Sequence, residues 1–167
     1  MKFIYCPQCG EKLVEKVIGD EGETPFCARC QRPWFSFSYP CVICLCVNEK
    51  GEVLLIKQSY GESRFVLVAG FIKEGENAEE AARREVAEET GLEISSLSYA
   101  FSRYYEPRDN LMTAYICRVK KAELRLSNEV EQAKWVTPEE AAETLRKGGA
   151  ARQLAEYYNT QKESYCT

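Results

Sequence analysis

One segment, Gly70–Leu92 (GFIKEGENAEEAARREVAEETGL), constrains the fold more than any other part of the chain. Asn77 is a residue type that caps a helix N-terminus, and Glu80 stands where a capping-box partner reaches back to it. From Ala78 to Thr90 the residues are strong helix formers with no Gly or Pro. Gly91 then occupies the place where a left-handed glycine ends a helix. Ahead of the helix, Gly70 and Gly75 predict a loop, because both tolerate backbone angles that a side chain forbids.

The helix carries an unusual load. Glu85, Glu88 and Glu89 lie at i, i+3 and i+4 and share one face. Like charges so placed repel, each pair costing roughly a few tenths of a kcal/mol. Arg84 offsets part of that charge, and a divalent cation offsets the rest. Carboxylate oxygens are hard ligands that suit Mg²⁺ or Mn²⁺.

Gly70, Glu76, Arg84-Glu85-Val86, Glu88-Glu89 and Gly91-Leu92 match the Nudix box position for position. At ordinary residue frequencies such agreement arises by chance on the order of once in 10⁵. The chain therefore resembles the Nudix hydrolases. That resemblance implies the α/β class: an α/β/α sandwich with a mixed sheet. It makes Glu85 and Glu89 the main ligands of a catalytic Mg²⁺ or Mn²⁺. Glu88 would share a metal or orient water, and the Ala69 carbonyl would be a further ligand. Glu76 would pair with Arg84 and hold the loop to the helix. An acidic residue upstream of a Trp recurs in these enzymes as another metal ligand. Glu129 takes that place before Trp135 and is preferred to Glu131.

The first forty residues have a different logic. The chain has nine cysteines, an odd number, and its start lacks a long apolar export signal. Cys6-Pro7-Gln8-Cys9 and Cys27-Ala28-Arg29-Cys30 are two CxxC knuckles whose thiolates suit tetrahedral Zn²⁺. All four positions are cysteine, so the site is expected to be structural, in a small zinc ribbon over residues 1–38. A short hairpin is expected between the knuckles. Redox chemistry and a metal-free ribbon are the alternatives. Arg32–Pro40 holds two prolines and four aromatics, and is expected to pack on the main domain, residues 39–167.

In that domain Cys41–Val47 and Glu52–Gln58 read as a hairpin, and Phe65–Ala69 as a strand ending at the box. Cys41 and Cys44 form a third CxxC. Residues three apart on a strand face opposite sides, so these two and Cys46 are expected to be core. Leu97–Tyr105 and Leu111–Val119 are further strands around a loop at Glu106–Asn110. Ser127–Glu131 is a polar turn before Ala133-Lys134-Trp135-Val136. Thr137-Pro138-Glu139-Glu140 starts a helix, and Ala150–Gln161 is a second.

A four-cysteine ribbon leading into the box resembles the NADH pyrophosphatase branch of the family. That branch carries the signature SQPWPFPxS, often followed by Leu-Met. Here the chain reads Ser102-Arg103-Tyr104-Tyr105-Glu106-Pro107-Arg108-Asp109-Asn110, then Leu111-Met112; only Ser102 and Leu-Met agree. The candidate substrate contacts are Phe65, Arg103, Tyr104 and Tyr105. Rings stack on bases, and a guanidinium, including that of Arg108, meets phosphate or ribose.

The expected function is metal-dependent hydrolysis of a nucleoside diphosphate derivative, NADH/NAD-like or ADP-ribose-like, to NMP and a phosphorylated product. A non-catalytic nucleotide sensor and an RNA-binding protein are the alternatives, the latter including removal of an NAD cap from RNA. A net charge of −4 weighs against a large nucleic-acid surface. The chain contains no histidine, so the general base is a carboxylate: Glu85, Glu88 or Glu129. No apolar run is long enough to span a membrane. A cytoplasmic location follows from the cysteine pattern, and a homodimer from the family resemblance.

Overall fold

The computed structural model describes residues 3–60 and 63–161. The chain divides into two compact units, Met1–Tyr39 and Pro40–Thr167.

The N-terminal unit is a three-stranded antiparallel sheet: β1 (Val14–Val17), β2 (Glu23–Cys27) and β3 (Arg32–Pro33), in that order. The hairpin expected between the knuckles is β1–β2, with Val14 opposite Phe26. Aromatic residues of the connector make ring contacts inside this unit. Phe3 meets Trp34 and Phe37 at 5.6 and 5.4 Å, and Phe37 meets Tyr39 at 5.6 Å.

The second unit opens within β4 (Tyr39–Val47), whose first residue closes the N-terminal unit, and continues with β5 (Val53–Gln58). β6 (Phe65–Val66) and β7 (Val68–Phe71) follow, then helix α1 (Ala78–Thr90). β8 (Ile94–Tyr105), β9 (Asn110–Val119) and β10 (Val130–Val136) precede α2 (Pro138–Thr144) and α3 (Ala150–Gln161). The seven-stranded mixed sheet runs β10-β5-β4-β9-β8, with β6 added to β5 and β7 to β4.

The strands alternate between two cores, as period-2 geometry requires. Ile43, Leu45, Val47, Val53, Leu55 and Ile116 face α2 and α3 through Ala141, Leu145, Leu154 and Tyr158. Val42, Cys44, Cys46, Leu54, Ile56 and Cys117 face α1 through Ala81, Ala82 and Val86. Helices thus cover both faces, which makes the unit an α/β/α sandwich. Cys41, Cys44 and Cys46 are buried, in keeping with a core role.

Four expectations need correction. Gly70 is not in a loop: it belongs to β7, pairs with Val42, and has no positive φ. The strand read as Phe65–Ala69 is two short strands, because β6 pairs with β5 whereas β7 pairs with β4. β8 starts at Ile94 rather than Leu97: Ile94 pairs with Val119, and a register shift before Ser96 carries the ladder on. The polar turn is also shorter, since Val130 and Glu131 already belong to β10. Among the described residues no helix is long and apolar enough to cross a membrane.

Candidate active site

The helix that presents the carboxylates is fixed at both ends by its own sequence. Asn77 Oδ1 accepts from Glu80 N at 2.9 Å, and Asn77 N donates to Glu80 Oε2 at 3.0 Å. At the other end Gly91 adopts φ 73° and its N–H donates to Ala87 O. Both Gly75 and Gly91 use left-handed angles.

Gly70 serves a different purpose. A Cβ built on it would overlap the carboxyl group of Glu85. The missing side chain therefore makes room for a carboxylate lying against β7. Arg84 organises the other acids around this contact. Its Nη1 donates to Glu85 Oε1 at 2.6 Å and to Glu88 Oε2 at 3.1 Å. Its Nε and Nη2 grip Glu76 at 2.7 and 2.8 Å, and Nη2 also reaches Phe71 O at 3.0 Å. Glu76 additionally accepts from Lys73 N at 3.0 Å. The Arg84 guanidinium, then the Lys73 N–H, hold the Glu76 carboxyl down at about 2. Arg84 thus ties the loop after β7 to the acidic face of α1.

Glu89 is the exception. It is only 4 % exposed, and its Oε2 has no hydrogen-bond partner among the described residues. Burial, then the charges of Glu85, Glu129 and Glu88, push its carboxyl up to about 8. A buried carboxylate oxygen without a partner is costly unless a cation meets it. The donor set is all oxygen, which fits a hard divalent ion.

Glu129 reaches this cluster from the turn before β10. Ser127 N donates to Glu89 O at 3.3 Å and Arg125 N to Thr90 O at 2.9 Å, so the segment seals the C-terminal end of α1. Glu131 points elsewhere, to Lys57 Nζ at 3.0 Å. A register shift between Val130 and Gln132 separates the two acids.

The candidate substrate contacts are placed as follows. Arg103 Nη1 donates to Gln153 Oε1 at 2.9 Å. Tyr104 OH donates to Asp109 Oδ1 at 2.5 Å across a turn in which Asp109 has φ 56°. Tyr105 pairs with Asn110 where β8 meets β9. Phe65 lies under Lys134 Nζ, 4.7 Å from the ring centroid. No hydrogen bond or ion pair found among the described residues joins these four to the glutamate cluster.

One group of site residues escaped sequence reasoning. Tyr60 OH donates to Glu129 Oε2 at 3.5 Å, and Gln58 Nε2 donates to Tyr60 OH at 3.4 Å. Partial desolvation of the Tyr60 hydroxyl, then the charges of Glu129, Glu89 and Glu85, push its phenol up. No motif announces Tyr60; only the sheet brings it to the acids.

In the N-terminal unit the ligand atoms of Cys6, Cys9, Cys27 and Cys30 all lie within 4.8 Å of one another. The Cys6–Cys30 and Cys9–Cys27 sulfur separations are 3.9 and 3.6 Å. Each knuckle is followed by a left-handed residue, Gly10 at φ 75° and Gln31 at φ 54°. Backbone N–H groups approach the sulfurs: Cys30 N donates to Cys27 Sγ at 3.2 Å. Four thiols so arranged can hold a metal ion.

A sequence profile of the NUDIX domain matches residues 38–157. The NAD-capped RNA hydrolase NudC of Vibrio vulnificus is 29% identical over 154 residues, covering 91% of this chain and 58% of its own length. The mitochondrial NAD(P)H pyrophosphatase NUDT13 of Mus musculus is 32% identical over 158 residues, covering 91% of this chain and 44% of its own. The chain thus spans less than two thirds of the length of either relative. Among solved structures, a NUDIX hydrolase from Nitrosomonas europaea superposes with a TM-score of 0.74 at 18% identity, covering 98% of this chain and 93% of that one. The NUDIX domain of Shewanella oneidensis NrtR, crystallised with ADP ribose, gives 0.67 at 16% identity, covering 82% and 94%. Both likenesses are of fold. The profile match takes in the sandwich and its acidic helix, and the chain belongs to the NUDIX domain family.

Proposed function

We propose that the chain is a pyrophosphohydrolase that cleaves the diphosphate linkage of an NAD-like or ADP-ribose-like nucleoside diphosphate derivative, releasing NMP and a phosphorylated remainder. The observation that carries this reading is Glu89: a buried, unpartnered carboxylate oxygen set among Glu85, Glu88 and Glu129.

In this reading Glu85, Glu88, Glu89, Glu129 and the Ala69 carbonyl hold Mg²⁺ or Mn²⁺. When bound, such an ion neutralises diphosphate charge and acidifies a coordinated water. The chain's own residues do the remaining work. Arg84 fixes the Glu85 and Glu88 carboxylates by direct hydrogen bonds. Glu76 in turn anchors Arg84 and the loop that enters α1. Glu85, Glu88 or Glu129 accepts the proton of the attacking water, since no histidine exists to do so. Phe65, Arg103, Tyr104 and Tyr105 are the proposed substrate contacts.

The names of the relatives, an NAD-capped RNA hydrolase and an NAD(P)H pyrophosphatase, favour a dinucleotide of the NAD type. The first also supports a second reading, in which the dinucleotide is the 5′ cap of an RNA. The test is a screen of NADH, NAD⁺, ADP-ribose, sugar nucleotides and NAD-capped RNA with Mg²⁺ or Mn²⁺. NMP release from at least one substrate is expected. A folded protein that cleaves none of them, with either ion, contradicts the proposal.

The four-cysteine site we assign to structural Zn²⁺ in a ribbon domain, residues 1–38. A tetrahedron with Zn–S of about 2.3 Å requires sulfurs ~3.8 Å apart. The Cys6–Cys30 and Cys9–Cys27 separations, 3.9 and 3.6 Å, bracket that value. Cys6→Ser is expected to abolish zinc retention and to lower the melting point of the protein. Loss of hydrolysis with zinc content and melting unchanged would contradict the structural assignment. Among the described residues Cys44, Cys46 and Cys117 are buried thiols outside any disulfide, which fits a reducing cytoplasm. The homodimer that the family resemblance implies is tested by light scattering.

A further inference from the structure

The end of β5 makes a run of contacts that neither the acidic helix nor the ribbon accounts for. Ser59 N donates to Glu129 O at 2.9 Å, and Ser59 Oγ donates to Asn128 O at 2.9 Å. These two bonds fix the backbone of the turn that carries Glu129. The flanking side chains act on its carboxylate. Gln58 closes β5, and Tyr60 stands two residues beyond it in the bend that follows. Gln58 Nε2 donates to the Tyr60 oxygen at 3.4 Å, and Tyr60 OH donates to Glu129 Oε2 at 3.5 Å. An amide N–H has no accepting capacity, so Gln58 occupies a lone pair of the phenol and leaves its proton for the carboxylate. On the far side, Ser127 N donates to Glu89 O, and Ser127 Oγ accepts from Glu129 N at 3.3 Å. Glu129 is thus held from two directions: by α1 through Ser127, and by β5 through Ser59 and Tyr60.

We infer that Gln58-Ser59-Tyr60 is a positioning element for Glu129, with the Tyr60 phenol aiming its carboxylate at the acids of α1. The inference rests on the proposed metal-dependent reading of that cluster. Tyr60 is a positioning residue, because it acts through Glu129. Its hydrogen bond is long and the ring is exposed, so removing the hydroxyl weakens the site without endangering the fold. Hydrogen-bond partners of metal ligands contribute about 10–100-fold to metal affinity, and a long, solvated contact belongs at the lower end.

The test is Mn²⁺ binding to the full chain without substrate, followed by calorimetry or electron paramagnetic resonance. Tyr60→Phe is expected to weaken Mn²⁺ binding by about tenfold, with the melting point of the metal-free protein unchanged. Glu129→Gln is expected to weaken it further, and Tyr60→Phe added to Glu129→Gln to have no additional effect. A merely structural tyrosine would move the melting point and leave Mn²⁺ affinity alone. Wild-type affinity in Tyr60→Phe, or an undiminished loss in the Glu129→Gln background, overturns the inference while leaving the proposed function standing. Absence of Mn²⁺ binding by the unsubstituted chain overturns both.

Discussion

Glu89→Gln is expected to lower turnover by about 10²-fold or more, and at the same time to stabilise the metal-free protein in alkaline solution. Both effects have one cause. Glu89 is buried with an unpartnered oxygen, and burial together with Glu85, Glu129 and Glu88 raises its carboxyl from 4.5 to about 8. The folded state therefore holds that proton more tightly than the unfolded chain does. The stabilising contribution of protonated Glu89 is full below the unfolded value, and is lost as pH rises through about 8. An amide of the same shape carries no charge to be desolvated. At about pH 9 the substitution should gain on the order of 2 kcal/mol, or roughly 4–8 °C of melting temperature, relative to metal-free wild type. Saturating Mn²⁺ should reverse the order, because only the carboxylate is rewarded by the ion. Melting curves at two pH values, with and without Mn²⁺, decide the matter. An equal melting point at high pH, or near-normal turnover with unchanged metal dependence, would remove Glu89 from the site.

Gly70→Ala is expected to cost about 10²-fold in turnover while leaving the fold intact. The glycine lies in extended backbone, so alanine meets no conformational penalty there. The new methyl group instead collides with the Glu85 carboxyl. That carboxyl is the end of a flexible side chain, and it yields sooner than the strand does. Its displacement breaks the 2.6 Å bond to Arg84 Nη1 and moves a proposed metal ligand. The melting point should stay within a few degrees of wild type, because the core behind β7 is untouched. Adding Glu85→Gln to Gly70→Ala should bring little further loss, since both act on one group. Wild-type turnover in Gly70→Ala would show that Glu85 works from another rotamer.

Much of the helix at the centre of these predictions was legible in the sequence, because its signals are local. Asn77, Glu80 and Gly91 act within one turn of chain, and the structure shows the capping bonds they imply. The pairing of Glu76 with Arg84 was equally legible from the box and is present at 2.7 and 2.8 Å. Gly70 was misjudged because glycine has two uses. Conformational freedom is visible in sequence; vacant space opposite another residue is not, until β7 and α1 are docked. Tyr60 was missed for a related reason. Its partner is sixty-nine positions away, and only the pairing of β5 with β10 brings the two together. The register shift in β10 was likewise invisible. Without it Glu129 and Glu131 would share a face, whereas here Glu131 goes to Lys57.

The strand β4 lines two cores at once, with Ile43, Leu45 and Val47 on one side and Val42, Cys44 and Cys46 on the other. Deleting a single residue from its middle would send each branched aliphatic side chain downstream into the slot cut for a thiol, and each thiol into the larger slot. Both halves of the sandwich would then be misfitted together, one overfull and the other hollow. The turns, such as Asn48–Gly51, are where the chain can gain or lose a link without exchanging its two linings.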